Sequence, residues 1–170
     1  DPLPHAIEQL QPAARAGAAE MFAANAYDSS ENITGLFSDP APEVREQAAR
    51  VWWNLDNPDL QILEELTDAF ISSPALEDDD LSGIVWAYAS LSGRLPATTL
   101  KVCKRVIHTA GSELGDIRTA RSVGSRDLIT LILRYYRQGD GGIRKQCLDL
   151  IDDLVELNVY DVESALADER

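Results

Sequence analysis

The chain has 170 residues, of which 45% are hydrophobic and 26% charged, and its formal net charge at pH 7 is −14. This length and composition suit one ordinary globular domain or one short helical solenoid. No apolar run approaches the roughly 20 residues that a membrane-spanning helix needs, so we expect no membrane-spanning segment and no membrane partner.

Apolar periodicity predicts helices along the whole chain, and no stretch alternates polar and apolar residues as the strand of a β-hairpin would. A first turn or short helix is expected near residues 4–10. The further helices are predicted over residues 13–25, 30–37, 42–55, 60–71, 78–91, 98–109, 117–122, 126–137, 143–157 and 159–167. The sequence therefore predicts an all-α fold with short loops.

The strongest local signals lie between residues 39 and 58. Pro42 falls at or near the first position of its helix, where a missing N–H costs nothing, and Glu43 complements the positive end of the helix dipole. One apolar face follows at helical spacing, formed by Val44, Ala48, Val51, Trp52 and Leu55. Adjacent tryptophans on a helix cannot both face one core. We therefore expect one of Trp52 and Trp53 to pack inside and the other to be partly exposed or at a repeat interface.

Caps and glycines divide the rest of the chain. Asp59 is predicted to cap the helix that begins at Leu60. Gly111 and Gly115 flank a break, and residues 139–142 read Gly-Asp-Gly-Gly, which predicts the most flexible point of the chain.

A short pattern recurs along the chain. An apolar residue followed by Arg occurs at positions 14–15, 44–45 and 143–144, and a small or apolar pair follows each Arg three residues later. The first two copies align at an offset of 30, with Phe22 matching Trp52, and residues 81–89 fit the same apolar frame at an offset of 37 without the Arg. Helix pairs that repeat every 30–45 residues or so are typical of an α-solenoid.

The pattern Asp-x-x-x-x-Val-Arg-x-x-Ala-Ala that starts at Asp39 resembles the HEAT-repeat family, and this likeness covers residues 33–55 best and 11–25 next. Over residues 96–137 the pattern cannot be followed. The resemblance implies a right-handed α–α superhelix, a HEAT-like solenoid of about four helical hairpins, with residues 1–170 as a single domain. It also implies a ladder of Asp and Arg along the turns, here Asp39, Arg45, Arg15 and Arg144.

The segment from Leu148 to Leu154, with Tyr160 and a charged end, is also similar to the C-terminal helical-repeat tails of large bacterial ATPases. The sequence contains no phosphate-binding Gly-Lys-Ser/Thr motif, so an ATPase domain would lie elsewhere in the parent protein. The chain begins with Asp1 rather than Met, and we expect residues 1–170 to be a piece of a longer protein or a processed chain.

The sequence contains no recognisable catalytic or metal-binding motif. Residues 77–80 lack the spaced ligands and central Gly of a calcium loop and are better interpreted as an acidic helix cap. His108 has no Cys or His at ligand spacing. Cys103 and Cys147 lie in apolar helical patterns, which predicts buried free thiols and a cytoplasmic protein. We predict no enzyme activity, no metal and no cofactor.

Charge is distributed unevenly along the chain. Residues 1–93 carry 3 Lys+Arg and 17 Asp+Glu, residues 94–145 carry 11 and 4, and residues 146–170 carry 1 and 8. The candidate residues of the basic segment are Lys101, Lys104, Arg105 and His108 on one helix stripe, and Arg118, Arg121 and Arg126 on neighbouring elements. Two interpretations remain open: a site for an anionic partner, or neutralisation of the chain's own acidic helices or of a neighbouring domain.

The function we favour is a non-enzymatic protein–protein interaction scaffold, a helical-repeat module of a larger cytosolic protein. Its partner would be another protein or a neighbouring domain of the same chain, with Trp53 and the basic stripe as contact residues. The alternative is a nucleic-acid-binding helical-repeat module that uses residues 101–126. HEAT-like glycosylases carry strongly basic clefts, and the acidity of this chain argues against that activity.

Overall fold

The computed structural model describes residues 9–78, 81–116, 123–159 and 162–167. Every regular element in these ranges is a helix, and they contain no strand, which confirms the predicted all-α class. The chain forms two compact units, Asp1–Asp79 (unit 1) and Asp80–Arg170 (unit 2).

Unit 1 is built from six helices, all within its described residues. They are α1 (Pro12–Ala24), α2 (Ala26–Leu36), α3 (Pro42–Ala49), α4 (Val51–Asn54), α5 (Leu60–Ile71) and α6 (Ala75–Asp78). Helix α1 packs against α3 and α4, α2 packs against α5, and α2 also contacts α1 and α3. These contacts place α1, α3 and α4 in one layer and α2 and α5 in another.

Unit 2 is arranged around one central helix. Its described elements are α7 (Ser82–Ala89), α8 (Thr98–Ala110), a 3₁₀ helix (Gly111–Gly115), α9 (Ser125–Gln138), α10 (Gly141–Glu156) and α11 (Val162–Ala167). Helix α9 contacts α7, α8, α10 and α11. It can do so because apolar side chains on two sides of the helix are buried, among them Leu128, Ile129, Leu131, Ile132 and Tyr135.

Arg134 of α9 ties that helix to the end of α7. Its guanidinium donates to the backbone carbonyls of Ala89 at 3.2 Å, Leu91 at 2.6 Å and Gly93 at 2.7 Å. Ala89 is the last residue of α7, where a carbonyl has no partner within the helix, so the first of these bonds satisfies a group that α7 leaves open. The other two bonds hold the loop that follows α7. One of the cations of the basic segment therefore has a structural role.

Most predicted helices are present, and two boundaries match their predictions closely. Helices Leu60–Ile71 and Thr98–Ala110 begin where the sequence places them. The prediction that Asp59 caps α5 is confirmed, because its Oδ1 accepts the backbone N–H of Gln61 at 2.8 Å. The segment predicted at 117–122, and residues 4–8 of the first predicted turn, lie outside the described residues.

The helix predicted over residues 42–55 is not continuous, which corrects that prediction. It divides at Arg50 into α3 and α4. The N–H of Arg50 donates to the carbonyl of Gln47 at 3.3 Å, and the N–H of Trp53 donates to that of Arg50 at 3.1 Å. These i→i−3 bonds tighten the helix locally. The helix predicted over 78–91 is present as α7, with the narrower bounds Ser82–Ala89.

The glycine-rich segments also differ from their predictions. Gly111 to Gly115 form the 3₁₀ helix rather than flanking a break, and Gly141 and Gly142 begin α10. Asp140 caps that helix, because its Oδ1 accepts the N–H groups of Gly142 and Ile143, both at 3.0 Å. The segment that the sequence predicts as the most flexible point is thus a capped helix start.

Changing Gly139 to alanine should lower the free energy of unfolding by about 1–3 kcal/mol. An added Cβ would lie 2.6 Å from the Cβ of Ile143 and 3.3 Å from the carbonyl oxygen of Tyr135, so the backbone must shift. Gly141→Ala is the matched control, because a Cβ there meets nothing within 4 Å. Urea unfolding should show the control unchanged or more stable, and equal stability of the two variants would contradict this account.

The core of unit 1 centres on three aromatic rings that are fully buried: Phe37, Trp52 and Phe70. Phe37 and Trp52 stack with centroids 6.3 Å apart, and Phe70 meets both rings edge-on at 5.2 Å. Trp53, the next residue, is 49% exposed. The prediction of one buried and one exposed tryptophan is confirmed.

Replacing Trp52 and Trp53 singly with alanine should lower stability by very different amounts. Trp52→Ala removes a ring packed against two others and should cost about 3–5 kcal/mol. Trp53→Ala changes a half-exposed side chain and should cost about 0.5 kcal/mol. Urea unfolding followed by far-UV circular dichroism tests the pair, and similar losses in both variants would contradict the assignment of the inner ring.

Candidate functional site

Asp39, in the turn between α2 and α3, holds three parts of unit 1 together. Its carboxylate accepts two hydrogen bonds from the guanidinium of Arg15 on α1, both at 2.8 Å, and a third from the N–H of Ala41 at 2.9 Å. Arg45 on α3 donates to the backbone carbonyl of Asp39 at 2.6 Å, and Arg15 also donates to the carbonyl of Leu10 at 2.7 Å. We call Asp39, Arg15 and Arg45 the Asp39 cluster.

The carboxyl of Asp39 stays ionised in this setting. Burial raises its pKa, but the hydrogen bonds from Arg15 and Ala41, together with the charges of Arg15 and Arg45, outweigh burial and hold the pKa below its ordinary value. The paired side chains of Arg15 and Asp39 are only 11% and 8% exposed. A charge-assisted pair with two parallel hydrogen bonds fixes orientation as well as distance.

The helices that this cluster joins are also tied at their other ends. The side-chain amide of Asn54, at the end of α4, donates to the carbonyl of Ala23, near the end of α1, at 3.1 Å. Between the two ends, Arg50 lies 4.0 Å from Glu20. Helix α1 and the α3–α4 pair therefore run side by side in the same direction, at the offset of 30 that aligns their sequences.

Between the outward faces of these helices lies an open groove of about 440 Å³. It is lined by Glu20, Ala24, Glu46, Arg50, Trp53 and Asn54. Trp53 is the largest of these side chains, and about half of its surface is exposed. We call this space the α1–α3 groove; it lies wholly within unit 1.

The α1–α3 groove carries acidic groups that are weakly neutralised. The side chains of Arg50 and Glu20 are 53% and 65% exposed and their closest approach is 4.0 Å, a geometry that contributes little free energy. Residues 1–79 hold 16 Asp+Glu and 3 Lys+Arg, and two of those cations, Arg15 and Arg45, belong to the Asp39 cluster. The potential around the groove is therefore negative.

The predicted basic stripe lies on α8 in unit 2. Lys101, Lys104 and His108 are exposed, and Arg105 is partly buried, with an Nε that finds no acceptor in the part of the chain that the structure describes. Lys104 lines a cavity of about 120 Å³ together with two acidic residues of α10, Asp149 and Asp153. At this point the basic stripe meets carboxylates of a neighbouring helix.

The remaining predicted residues lie on other parts of the chain. Arg126 is exposed in the first turn of α9, and Arg118 and Arg121 lie outside the described residues. Arg144, predicted as a member of the ladder, lies over the ring of Tyr136, 5.7 Å from its centroid.

Two searches of the described residues bear on other functions. No group of three or more His, Cys, Asp or Glu side chains in those ranges could hold a metal ion. Among the helices found there, none has the length and apolarity to cross a membrane. Cys103 and Cys147 are buried free thiols, as predicted, and burial raises the pKa of both.

Sequence reasoning named Trp53 but missed the other side chains of the α1–α3 groove. A signal for them exists: Glu46, Arg50 and Trp53 follow one another at helical spacing on the face opposite the apolar one. Glu20 and Arg50 also occupy equivalent positions at the offset of 30. The offset of 30 relates the outward faces of the two helices as well as their apolar faces, and on the outward faces it places Glu20 beside Arg50.

No family model, curated protein or solved structure matches the chain. The residues of the Asp39 cluster and of the α1–α3 groove therefore supply the evidence on function. Together they form a braced pair of parallel helices with an open, acidic, tryptophan-bearing outer face.

Changing Asp39 to asparagine should remove a pH-dependent part of the stability. The lowered pKa means that the ionised carboxylate stabilises the fold above about pH 4, the value of an unfolded aspartate, and that this share is lost as the pH falls further. We expect the wild-type chain to exceed Asp39→Asn by about 2 kcal/mol at pH 7, and by less at pH 3.

Urea unfolding at the two pH values measures this difference. Asp59→Asn serves as the control, because asparagine caps a helix as well as aspartate does, so its stability at pH 7 should stay within about 0.5 kcal/mol of the wild type. A difference between wild type and Asp39→Asn that is the same at both pH values would show that the charge of Asp39 contributes nothing.

Proposed function

We propose that this chain is a non-enzymatic protein-interaction module of helical repeats, and that it binds its partner through the α1–α3 groove. The observation that carries the proposal is the half-exposed indole of Trp53 at the edge of a groove of about 440 Å³. Tryptophan is one of the residues most enriched among the few side chains that dominate protein–protein binding energy.

Core packing and hydrogen bonds hold the helices that form the groove in place, which favours recognition of a partner. Trp52, adjacent to Trp53, is locked between Phe37 and Phe70 in the core. The Asp39 cluster and the Asn54–Ala23 hydrogen bond hold the two groove helices at both ends. A surface that is ordered before binding loses less conformational entropy when a partner arrives.

The repeat interpretation is supported by equivalent residues in equivalent places. Arg15 and Arg45, which match at the offset of 30, both bind Asp39, one through its carboxylate and the other through its carbonyl. We extend this to a HEAT-like, right-handed solenoid within a larger cytosolic protein. The partner is then another protein or a neighbouring domain of that protein.

Catalysis fits this groove poorly. Its carboxylates face an open space, and the side chain of Glu20 is 65% exposed. Acid–base catalysis by carboxylates depends on sites that exclude water and shift proton affinity. Nucleic-acid binding by the α8 stripe also has less support, because Asp149 and Asp153 beside Lys104 repel a phosphate backbone.

Peptides selected from a random displayed library against the whole chain should bind in the α1–α3 groove. Trp53→Ala should weaken the selected peptides about tenfold or more, because the indole is the main apolar contact. Leu60→Ala is the matched control, since Leu60 on α5 is also 49% exposed but lies in the other layer of unit 1.

Fluorescence anisotropy with labelled peptides measures both variants. The proposal fails if no peptide is selected, if Trp53→Ala binds as tightly as the wild type, or if Leu60→Ala weakens binding to the same extent.

A further inference from the structure

We infer that the partner segment recognised by the α1–α3 groove is basic, and that one of its arginines stacks on Trp53 while forming ion pairs with Glu20 and Glu46. The inference rests on the proposed function and names the chemistry of the partner. Its occupant is a segment of another protein that carries arginine next to apolar side chains.

The first support is charge complementarity. Two of the groove's charged residues are acidic, and unit 1 as a whole has 16 Asp+Glu against 3 Lys+Arg. A groove with this field attracts cations and repels acidic segments, nucleic acid included, and the effect is strongest at low ionic strength.

The second support is the state of Glu20. Its cation, Arg50, approaches no closer than 4.0 Å, and both side chains are more than half exposed. Such a pair contributes little, so an incoming guanidinium that reaches hydrogen-bonding distance can replace Arg50. Arg50 is thus a competitor of the ligand, which gives the inference a signature that a purely structural role lacks.

The third support is the shape beside Trp53. The indole presents about half of its surface, and it lines the same open groove as the small side chain of Ala24 on α1. A planar guanidinium stacks on an indole face and can still donate in its own plane to a carboxylate. An ammonium group cannot do both as well, so arginine should be preferred to lysine.

The experiment uses the full chain and three fluorescein-labelled peptides of equal length, in which leucine alternates with arginine, lysine or glutamate. Anisotropy titrations at low and moderate salt should give the order arginine, then lysine, then glutamate. Glu20→Gln combined with Glu46→Gln should weaken the arginine peptide about tenfold. Glu31→Gln combined with Glu65→Gln changes the net charge equally on α2 and α5 and should weaken it less than about twofold.

Two further variants separate recognition from general attraction. Arg50→Ala should strengthen binding of the arginine peptide about twofold or more, because it removes the competing cation. Trp53→Phe should keep most of the affinity and Trp53→Leu should lose it, since only an aromatic face attracts the guanidinium. All of the positions changed are exposed, so each variant should fold, and circular dichroism is the check.

The inference is overturned if both double variants weaken binding equally, if Arg50→Ala weakens it, or if Trp53→Leu binds as well as Trp53→Phe. It is also overturned if the library peptides bind through Trp53 but are not enriched in arginine, a result that leaves the proposed function standing. Loss of groove dependence for the library peptides contradicts the proposed function itself.

Discussion

The paired hydrogen bonds between Asp39 and Arg15 are the constraint on which unit 1 depends. Two nearly buried charges are costly unless each is satisfied, and here the carboxylate accepts three hydrogen bonds while the guanidinium also reaches a backbone carbonyl. This geometry is met only when the start of α1 lies beside the turn that leads into α3. With that end set and Asn54 bound to the carbonyl of Ala23 at the other, the two helices run in parallel, and their outward faces form one surface.

The same arrangement explains why one of two adjacent tryptophans is buried and the other is exposed. Trp52 completes a cluster of three buried rings, so the α3–α4 pair cannot rotate about its axis without breaking the core. The tight turn at Arg50 sets where Trp53 emerges. The groove therefore follows from a rigid core, and its charged side chains and Trp53 are exposed outside that core.

The two units differ in their balance of acidic and basic residues. Unit 2 holds 12 Lys+Arg and 13 Asp+Glu, so its basic helix α8 exists within a nearly balanced unit, and Lys104 shares a cavity with Asp149 and Asp153. Unit 1 has no such balance. An excess of one charge destabilises a fold through self-repulsion and is expected where it serves recognition or solubility. The excess of one charge that is visible in the sequence thus lies in unit 1.

The sequence by itself determined what depends on near neighbours: the all-α class, the Asp59 cap, and the need for one tryptophan to face outward. It also contained the offset of 30, which relates Arg15 to Arg45. Only the tertiary structure decided that Asp39 accepts two hydrogen bonds from an arginine of a preceding helix, and that the outward faces of α1 and the α3–α4 pair line one groove. Helix periodicity and caps are set by residues a few positions apart, whereas these outcomes depend on packing between residues far apart in the chain.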